Sequence, residues 1–534
     1  MIKQKRATQL FRLFGTCLFL FLSTSVVKAS EGSFNIRDYG AVGDGIKLDT
    51  EAINKAIEAA SKAGGGKVYF PAGTFLSYSI RLKSNIHLYL EAGAVLKAAG
   101  KNDGGRYDDP GEGAGNEYQD YGHSYWRNSL IWGENLNNIT ISGPGTIQGE
   151  NLSRGFYDYQ KWDEKGIPAG NLMWEGGGNK TIALKLCTNV ILRDFTIIKG
   201  GHFGILATGV DNFTLDNLKI DTNRDGIDID ACRNVRISNC TVNSPNDDAI
   251  VLKSSFGLGF ARATENVTIT NCQVSGYDVG TMIDGTYQTR EGHLVPDQEG
   301  PTGRIKFGTE SNGGFKNITI SNCVFDRSRG LALETVDGGI LEDITINNIS
   351  MRDVTNSPIF LRLAARMRGP ENSEAGALRR INISNITVFN ADSHFSSIIS
   401  GIPGHDIEDV RLSNIDIWYK PLDSAKIQIQ KVVPEFIDAY PEPAKFGVMP
   451  SYGLYVRHVK NLEMNNINIH FLGEEDRPAI IFDDVNGAEI HNVDAQKPGN
   501  APILRLEKSG NIEIKDCDGV EDQKMKEITT NKYG

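Results

Sequence analysis

The side chains best suited to catalysis form an acidic group on two segments of similar pattern. One segment reads Asn-Arg-Asp-Gly-Ile-Asp-Ile-Asp (223–230) and the other reads Asn-Asp-Asp-Ala-Ile-Val-Leu-Lys (246–253). If both segments are neighbouring extended strands, Asp225 and Asp248 lie at matching heights, with Asp247 beside them. Three adjacent carboxylates repel one another, so at least one should have a raised pKa and hold a proton near neutral pH. Such a group supplies a general acid and a general base together.

An acid and a base of this kind point to hydrolysis of a glycosidic bond. Inverting hydrolysis uses two carboxyls about 6.5–9.5 Å apart, with room for a water molecule. Two other interpretations stay open, because acidic turns also solvate loop ends or bind a calcium ion. The spacing alone does not separate these three possibilities.

The two segments lie between copies of a repeated hexad of alternating apolar and polar residues that ends in Asn or Asp. Its copies begin at residues 190, 213, 235, 267, 318, 344, 381, 410 and 462, and a weaker copy occupies 512–517. Alternation of period two predicts strands with one buried face, and the tightest intervals of about 22 to 29 residues match one turn of a parallel β-helix. We therefore predict an all-β, single-stranded parallel β-helix.

Stacked coils place like residues above one another. The hexads predict an asparagine ladder at one corner, because Asn suits a left-handed or turn backbone and its amide can bond its neighbours. Ordinary turn asparagines fit the same fold. The ladder residues are Asn217, Asn239, Asn271, Asn322, Asn348, Asn385, Asn414 and Asn466.

Cysteine use gives no sign of a metal site. Cys240, Cys272 and Cys323 each follow a ladder asparagine, which favours stacked interior thiols over a functional pair. No pair has C-x-x-C spacing, so the cysteines do not suggest a metal site, and we expect no cofactor.

The remaining sequence divides into three parts. Residues 1–29 read as an export signal, with a basic start, an apolar run over 13–27 and small residues before the cut. Residues 30–525 are predicted to form one β-helix domain, which begins with a short capping helix between Asp49 and Gly64. Residues 526–534 are predicted to be a polar C-terminal tail.

Charge and localisation exclude several partners. The chain has 56 basic and 67 acidic residues, a net charge of −11, and loss of residues 1–29 would leave 51 − 67 = −16. A surface of this sign disfavours nucleic acid. No later stretch has the roughly 20 apolar residues of a membrane span. We expect an exported monomer, periplasmic or extracellular, without a membrane or nucleic-acid partner.

Several motifs resemble glycoside hydrolase family 28, the polygalacturonase-like pectinases. They are Asn-x-Asp-Gly-Ile-Asp at 223–228, Asp-Asp at 247–248 and Gly-Thr-Glu at 308–310. The opening at 34–45 is similar to the start of many pectin-degrading β-helix proteins. The resemblance implies a right-handed, pectin-lyase-like solenoid and a substrate that is a pectic oligosaccharide or polysaccharide containing galacturonic acid.

The same resemblance implies catalytic roles. Asp247 would be the general acid, while Asp225 and Asp248 would hold and deprotonate the attacking water. Hydrolysis would proceed with inversion and without a metal. Two other functions remain open: a polysaccharide lyase on the same scaffold, and a carbohydrate-binding β-helix without catalysis.

The chain departs from the family where the substrate carboxylate is usually bound. Thr302 stands at the usual histidine position, and Ala332 and Glu334 stand at the usual Arg-x-Lys positions. Arg304 and Lys306 face outward one coil earlier, which suggests that the positive charge has moved by one coil to bind substrate. The alternative is a structural ion ladder in which Arg362 pairs with Glu334 and Lys253 takes part.

Further groups are expected to contact the sugar. The predicted substrate-binding residues are His202, Arg224, Lys253, Arg304, Lys306 and Glu334. His202 otherwise packs in the interior. His293, in a long insertion, is a candidate replacement for the missing histidine, or else a solvated loop residue.

Two insertions are candidates for walls of a substrate groove. Trp126, Trp132, Trp162 and Trp174 fall within 49 residues, and a proline-rich insertion spans 418–455. Aromatic faces suit the apolar faces of sugar rings, although most of these residues are expected to pack the loops. A walled groove favours cleavage from a chain end.

Overall fold

The computed structural model describes residues 32–111, 118, 123, 126–153, 174–289, 301–371, 373–422, 428–429 and 431–533. The predicted signal peptide, His293 and Trp162 lie outside these residues.

The described chain consists almost entirely of short parallel strands that follow one another at regular intervals. The strands of the first half are β1 (Ser33–Asn35), β2 (Asp44–Leu48), β3 (Gly66–Phe70), β4 (Gly73–Ser77), β5 (Ile80–Arg81), β6 (Ile86–Leu90), β7 (Ala94–Ala98), β8 (Ser129–Glu134), β9 (Asn137–Ser142), β10 (Thr146–Gln148), β11 (Lys180–Lys185), β12 (Thr188–Arg193), β13 (Thr196–Ile198), β14 (Phe203–Thr208), β15 (Asp211–Asp216), β16 (Lys219–Asp221), β17 (Asp225–Asp230), β18 (Arg233–Ser238) and β19 (Thr241–Asn243). Those of the second half are β20 (Ile250–Ser254), β21 (Thr264–Thr270), β22 (Gln273–Ser275), β23 (Ile305–Ser311), β24 (Phe315–Asp326), β25 (Leu331–Thr335), β26 (Ile340–Arg352), β27 (Ile359–Leu363), β28 (Ala377–Ala391), β29 (Ser397–Ser400), β30 (Ile407–Tyr419), β31 (Leu454–Phe471), β32 (Ile480–Ala495), β33 (Leu504–Lys515) and β34 (Gln523–Tyr533).

The strands pair into three long parallel sheets that run along the solenoid. The site sheet, which carries the acidic group, runs β5, β8, β11, β14, β17, β20, β23, β25, β27, β29 and β31. A second sheet includes β12, β15, β18 and β21, and a third includes β13, β16, β19 and β22. From β24 onward a single long strand bends through two sheets, since β24 pairs with both β21 and β22. The fold is the predicted right-handed, pectin-lyase-like parallel β-helix.

Aliphatic residues fill the interior of the coils. Ile227, Ile250, Ile305, Leu331 and Ile359 stack in register on five successive strands of the site sheet. Each is at most 2% exposed. Because side chains alternate along a strand, burying this row turns the intervening side chains outward, which is how the hydrophobic pattern positions the site.

The asparagine ladder is present and confirms the prediction. All eight predicted residues have φ between 52° and 57°, in the left-handed region that Asn tolerates. Asn348 Nδ2 donates to Asn322 Oδ1 at 3.1 Å, and Asn385 Nδ2 donates to Asn348 Oδ1 at 3.2 Å. At the start of the ladder the acceptors are aspartates instead of asparagines. Asn217 donates to Asp194, and Asn239 donates to Asp216.

A second ladder was not predicted. It climbs another corner through Asn85, Asn138, Asn189, Asn212, Asn234, Asn266 and Asn317. The hexads end at the first corner only, so they did not predict the second ladder. Its asparagines also have φ in the left-handed region, between 54° and 63°.

The cysteines behave as small buried side chains. Cys240, Cys272 and Cys323 are each 1% exposed. All six cysteines from 187 to 517 are free thiols, and burial raises the pKa of Cys232, among others, far beyond its ordinary range.

Both described ends of the solenoid are covered. Helix α1 (Thr50–Lys62) buries Ile53, Ala56, Ile57 and Ala60 against the first coils, as predicted. Asp49 does not cap the helix; its carboxylate accepts the backbone N–H groups of Val42 and Gly43. Two 3-10 helices are also described, Ile36–Tyr39 and Pro443–Phe446.

The polar residues at the C-terminus differ from the predicted tail. β34 pairs antiparallel with β33, so that the last coil does not leave its backbone groups open. The segment is polar because its side chains face solvent, and composition alone did not reveal the strand. In the described residues no helix is long and apolar enough to cross a bilayer.

Candidate active site

Asp225, Asp247 and Asp248 come together on two adjacent coils. Asp225 begins β17, and pairing of Ile227 with Ile250 sets it level with Asp248. The backbone N–H of Asp248 donates to Asp225 Oδ1 at 3.2 Å. One carboxylate oxygen from each of the three residues lies within 4.8 Å of the other two. The spatial arrangement predicted from the alternation is therefore correct.

Asp225 is the member of this group that most favours a bound proton. Burial and the nearby Asp247 raise its pKa well above the ordinary value. Lys253 acts in the opposite direction, since its Nζ lies 3.3 Å from Asp225 Oδ2. The raised pKa expected within the group thus falls on Asp225.

Asp248 is held in the ionised form. Burial opposes its charge, but Lys306 and Arg304 outweigh burial and lower the pKa of Asp248 to about 2. Arg304 Nε donates to Oδ1 at 2.7 Å, and Lys306 Nζ lies 3.4 Å from Oδ2. Asp248 can therefore act as a base at neutral pH.

Asp247 is the most accessible of the three carboxylates. Its side chain is 14% exposed, against 7% for Asp225 and 4% for Asp248. Arg224 Nη2 lies 2.6 Å from its Oδ2, and its Oδ1 accepts the backbone N–H of Asp248. Of the three carboxylates, Asp247 is therefore the one most open to a ligand in the cavity.

The three carboxylates lie at the base of a cavity of about 350 Å³. Seven basic and five acidic side chains line it, so its formal charge is 7 − 5 = +2. This local charge is opposite in sign to that of the whole chain. The lining residues are Arg224, Asp225, Asp247, Asp248, Lys253, Arg304, Lys306, Thr309, Glu310, Arg329, Arg368, Tyr440, Glu442 and Lys445.

A row of buried charged side chains that do not line the cavity contacts Lys253 and continues away from it. Lys253 Nζ lies 3.0 Å from Asp228 Oδ2 and 3.3 Å from His123 Nε2. His123 Nδ1 contacts Asp230 Oδ2 at 3.1 Å. Burial and Lys253 oppose protonation of His123, yet Asp228 and Asp230 raise its pKa overall. The row fixes the Lys253 ammonium beside Asp225.

Four of the six predicted substrate-binding residues line the cavity: Arg224, Lys253, Arg304 and Lys306. Glu334 does not, since it is fully buried and lies 3.6 Å from Lys306 Nζ, behind that residue. Burial raises the pKa of Glu334 to about 7. His202 is 1% exposed and packs edge-on against Phe203, which fits the interior alternative.

The predicted ion ladder is present only in part. Lys306 contacts Glu334, and Lys253 contacts Glu310 at 3.6 Å. Arg362 stands in register with Glu334 but does not pair with it. Its guanidinium instead donates to the carbonyls of Gly401 and of residues 435 and 436, because the insertion folds down onto it.

The proline-rich insertion contributes cavity residues that the sequence did not predict. Tyr440 OH lies 3.2 Å from Lys306 Nζ, and Glu442 Oε2 lies 3.3 Å from Arg304 Nη2. Lys445 lies one turn further along. The insertion was predicted to wall the groove, but proline content does not show which side chains face inward. Arg368 was likewise not predicted, because it lies in an irregular segment after β27, and His123 was not predicted because it lies outside the repeated hexads.

The described tryptophans mostly pack the loops together. Trp126 and Trp132 meet edge to face at 5.5 Å, and Trp132 Nε1 donates to Asp108. Trp174 packs against Tyr107. Among the described lining residues Tyr440 is the single aromatic. The described tryptophans therefore do not line the cavity as a platform for a sugar ring.

The calcium alternative fits the geometry of the oxygens but not their neighbours. Three oxygens within 4.8 Å could hold a cation. Each carboxylate, however, already contacts a basic side chain: Asp225 contacts Lys253, Asp247 contacts Arg224, and Asp248 contacts Arg304. These positive charges repel a further cation. The cluster is therefore better suited to acid and base chemistry.

Comparison with known proteins identifies relatives over most of the chain. A family model described as "Rhamnogalacturonase A/epimerase, pectate lyase-like" matches residues 33–250. A probable polygalacturonase from Vitis vinifera is 26% identical over 76% of this chain and 88% of its own. The exo-poly-alpha-D-galacturonosidase of Dickeya chrysanthemi is 23% identical over 78% of this chain and 70% of its own.

A solved structure shares the fold. The family 28 exopolygalacturonase of Yersinia enterocolitica superposes with a TM-score of 0.62 at 19% identity, covering 86% of this chain and 78% of that one. The curated relatives, together with the carboxylates that line a cavity on the β-helix, support a glycoside hydrolase. The resemblance to the polygalacturonase-like enzymes of glycoside hydrolase family 28 is confirmed, with Thr302, Ala332 and Glu334 at three positions where that family usually has His, Arg and Lys.

Proposed function

We propose that the protein is an exported, inverting glycoside hydrolase that cleaves galacturonic-acid-containing pectic material. The observation that carries this proposal is the group of three carboxylates at the base of a cavity with a local charge of +2. The names of the relatives support a pectic substrate, either polygalacturonan-like or rhamnogalacturonan-like. Export rests on the sequence of residues 1–29.

In the proposed reaction, Asp248 and Asp225 hold a water molecule while Asp247 protonates the leaving oxygen. The low pKa of Asp248 supports its role as the base. Asp247 is the most exposed of the three carboxyls, which supports its contact with the glycosidic oxygen.

The proton for the leaving group is carried by the pair of Asp225 and Asp247. Burial raises the pKa of Asp225 and so favours its protonated form, and Asp247 lies beside it. We propose that the proton passes from Asp225 to Asp247 when substrate binds, and that Asp247 then donates it to the leaving oxygen.

The stereochemical outcome needs a direct test. The closest oxygens lie within 4.8 Å, which is nearer to the ~5–5.5 Å of retaining sites than to the ~6.5–9.5 Å of inverting ones. Inversion is nevertheless proposed, because both oxygens of Asp248 are held by Arg304 and Lys306, an arrangement that suits a base orienting water better than a carboxylate attacking carbon.

The walled cavity supports attack at a chain end. Tyr440, Glu442 and Lys445 of the insertion close one side above the site sheet. A cavity closed in this way accepts a terminal sugar more readily than the middle of a polymer.

One experiment tests substrate, reaction and stereochemistry together. Purified protein is incubated with galacturonan and rhamnogalacturonan oligosaccharides of defined length, and the first product anomer is observed by NMR. We expect shortening by terminal units with inverted anomeric configuration and no ultraviolet-absorbing unsaturated product. A retained anomer would contradict inversion, an unsaturated product would indicate a lyase, and binding without turnover would indicate a non-catalytic module.

A further inference from the structure

The basic side chains of the cavity fall into two groups. Five of them contact a carboxylate at 3.6 Å or less and are nearly buried: Arg224, Lys253, Arg304, Lys306 and Arg329. The other two are Arg368 and Lys445, which are exposed. Arg368 and Lys445 can bind a substrate carboxylate without leaving a buried carboxylate unpaired, whereas the five buried cations cannot.

Arg304 and Lys306 illustrate the cost of recruiting a buried cation. Both contact Asp248, and their side chains are only 4% and 3% exposed. If a substrate carboxylate took either of them away, the buried carboxylate of Asp248 would lose a cationic partner, which is costly. Their main effect is therefore on Asp248, and the substrate charge needs other partners.

Lys445 is placed to meet such a charge. It lies in the 3-10 helix Pro443–Phe446, lines the cavity, and its Nζ lies 5.6 Å from the ring centroid of Tyr440. Within the described chain no carboxylate lies within 4.0 Å of this ammonium. The Tyr440 ring also faces Lys306, so it stands between the buried and the exposed cations.

Arg368 approaches the same cavity from the loop that follows β27. Its side chain is 42% exposed, and its nearest carboxylate partner, Glu310, lies 3.9 Å away. That distance is too long for a hydrogen bond. The backbone of Arg368 is nevertheless fixed, because its N–H donates to Asp337 and its carbonyl accepts from Asn312. A guanidinium on an anchored backbone can bind a carboxylate in a bidentate manner.

We propose that Arg368 and Lys445 are the residues that bind the substrate carboxylates and give the enzyme its preference for acidic sugars. They would replace, from a loop and an insertion, the cations that are missing at Ala332 and Glu334. This inference rests on the proposed function, and it names the part of the site that reads the charge of the substrate.

The test compares acidic and methyl-esterified galacturonan oligosaccharides of the same length. In Arg368→Gln and Lys445→Gln we expect kcat/KM for the acidic substrate to fall about tenfold each, mainly through KM, because a hydrogen bond to a charged group is lost. For the ester the change should stay within about twofold. Arg368→Lys and Lys445→Arg should recover part of the acidic preference.

Matched controls use exposed cations that do not line the cavity. Arg236→Gln, on β18 of the second sheet, and Lys497→Gln, after β32, should leave both rates unchanged. An unchanged acidic-to-ester ratio in both cavity variants would overturn the inference while leaving the proposed hydrolase intact. If the wild-type enzyme itself prefers neutral glycosides, the proposed substrate class fails instead.

Discussion

At the scale of single residues, the site works through unequal pKa values of neighbouring carboxyls. Asp225 and Asp248 lie level on adjacent coils, yet burial and Asp247 raise the pKa of one while Lys306 and Arg304 lower the pKa of the other. The difference lies in the cations, since Asp248 has two within 3.4 Å and Asp225 has only Lys253 at 3.3 Å. Such a separation places a carboxyl that favours a proton beside one that stays ionised within one cluster.

Replacing Arg304 by Gln tests this dependence. Asp248 must be ionised to act as a base, so activity is present above its pKa and is lost as pH falls through it. Because Arg304 helps to hold that pKa near 2, its removal should raise the pKa and move the acidic limb of the kcat/KM profile upward by about one pH unit or more.

The control for this change is Arg304→Lys, which keeps the positive charge and should leave the acidic limb much closer to that of the wild type. The measurement is initial rate against pH at low substrate concentration. An acidic limb that does not move in Arg304→Gln would show that Asp248 is not the group whose ionisation limits activity.

At the scale of the elements, the register between strands of successive coils places the carboxylates beside one another. The stacked aliphatic row sets each strand, and the asparagine ladders set each corner. Asn348 both donates to Asn322 and accepts from Asn385, with φ of 55°. A ladder residue therefore supplies two hydrogen bonds and a backbone conformation that most residues avoid.

Asn348→Ala should lower the free energy of unfolding by about 1–3 kcal/mol, because it removes both amide contacts and places alanine in the left-handed region. Urea denaturation measures the change. Asn348→Gly removes the same amide contacts but adopts this backbone freely, so it should be the less destabilised of the two variants. Equal stability of Asn348→Ala and the wild type would contradict a structural role for the ladder.

The elements also show what sequence can predict. Period-two alternation predicted the solenoid, the inward row and the matched heights of Asp225 and Asp248, because strand geometry converts spacing directly into position. It did not predict Tyr440 or Glu442, which reach the site from 134 and 138 residues beyond Lys306 and Arg304. Their placement depends on how an irregular insertion folds back, and local pattern carries no record of that path.

The positions of Arg304 and Lys306 show a different limit. Alternation correctly predicted that both face outward beside the acidic group. Whether they bind substrate or neutralise Asp248 depends on distances of 2.7 and 3.4 Å, which spacing cannot resolve.

At the scale of the whole molecule, an acidic chain carries a basic cavity. The net charge of −11 opposes long-range attraction of an acidic polymer, but salt screens charges beyond about 8 Å at physiological ionic strength. Within the cavity the formal charge is +2, so we expect attraction of an acidic substrate to act only at short range. In the proposed reaction, catalysis depends on three of the carboxylates that line this cavity.

The most direct test of the account measures hydrolysis of a galacturonan oligosaccharide by Asp225→Asn, Asp247→Asn and Asp248→Asn beside Asp278→Asn, a carboxyl outside the cavity. Each of the first three changes should lower kcat about 10²–10⁴-fold, with the folded structure retained by circular dichroism, because each removes an acid or base function. Asp278→Asn should retain wild-type activity. Retention of more than a tenth of the wild-type rate in all three cavity variants would contradict catalysis by this cluster.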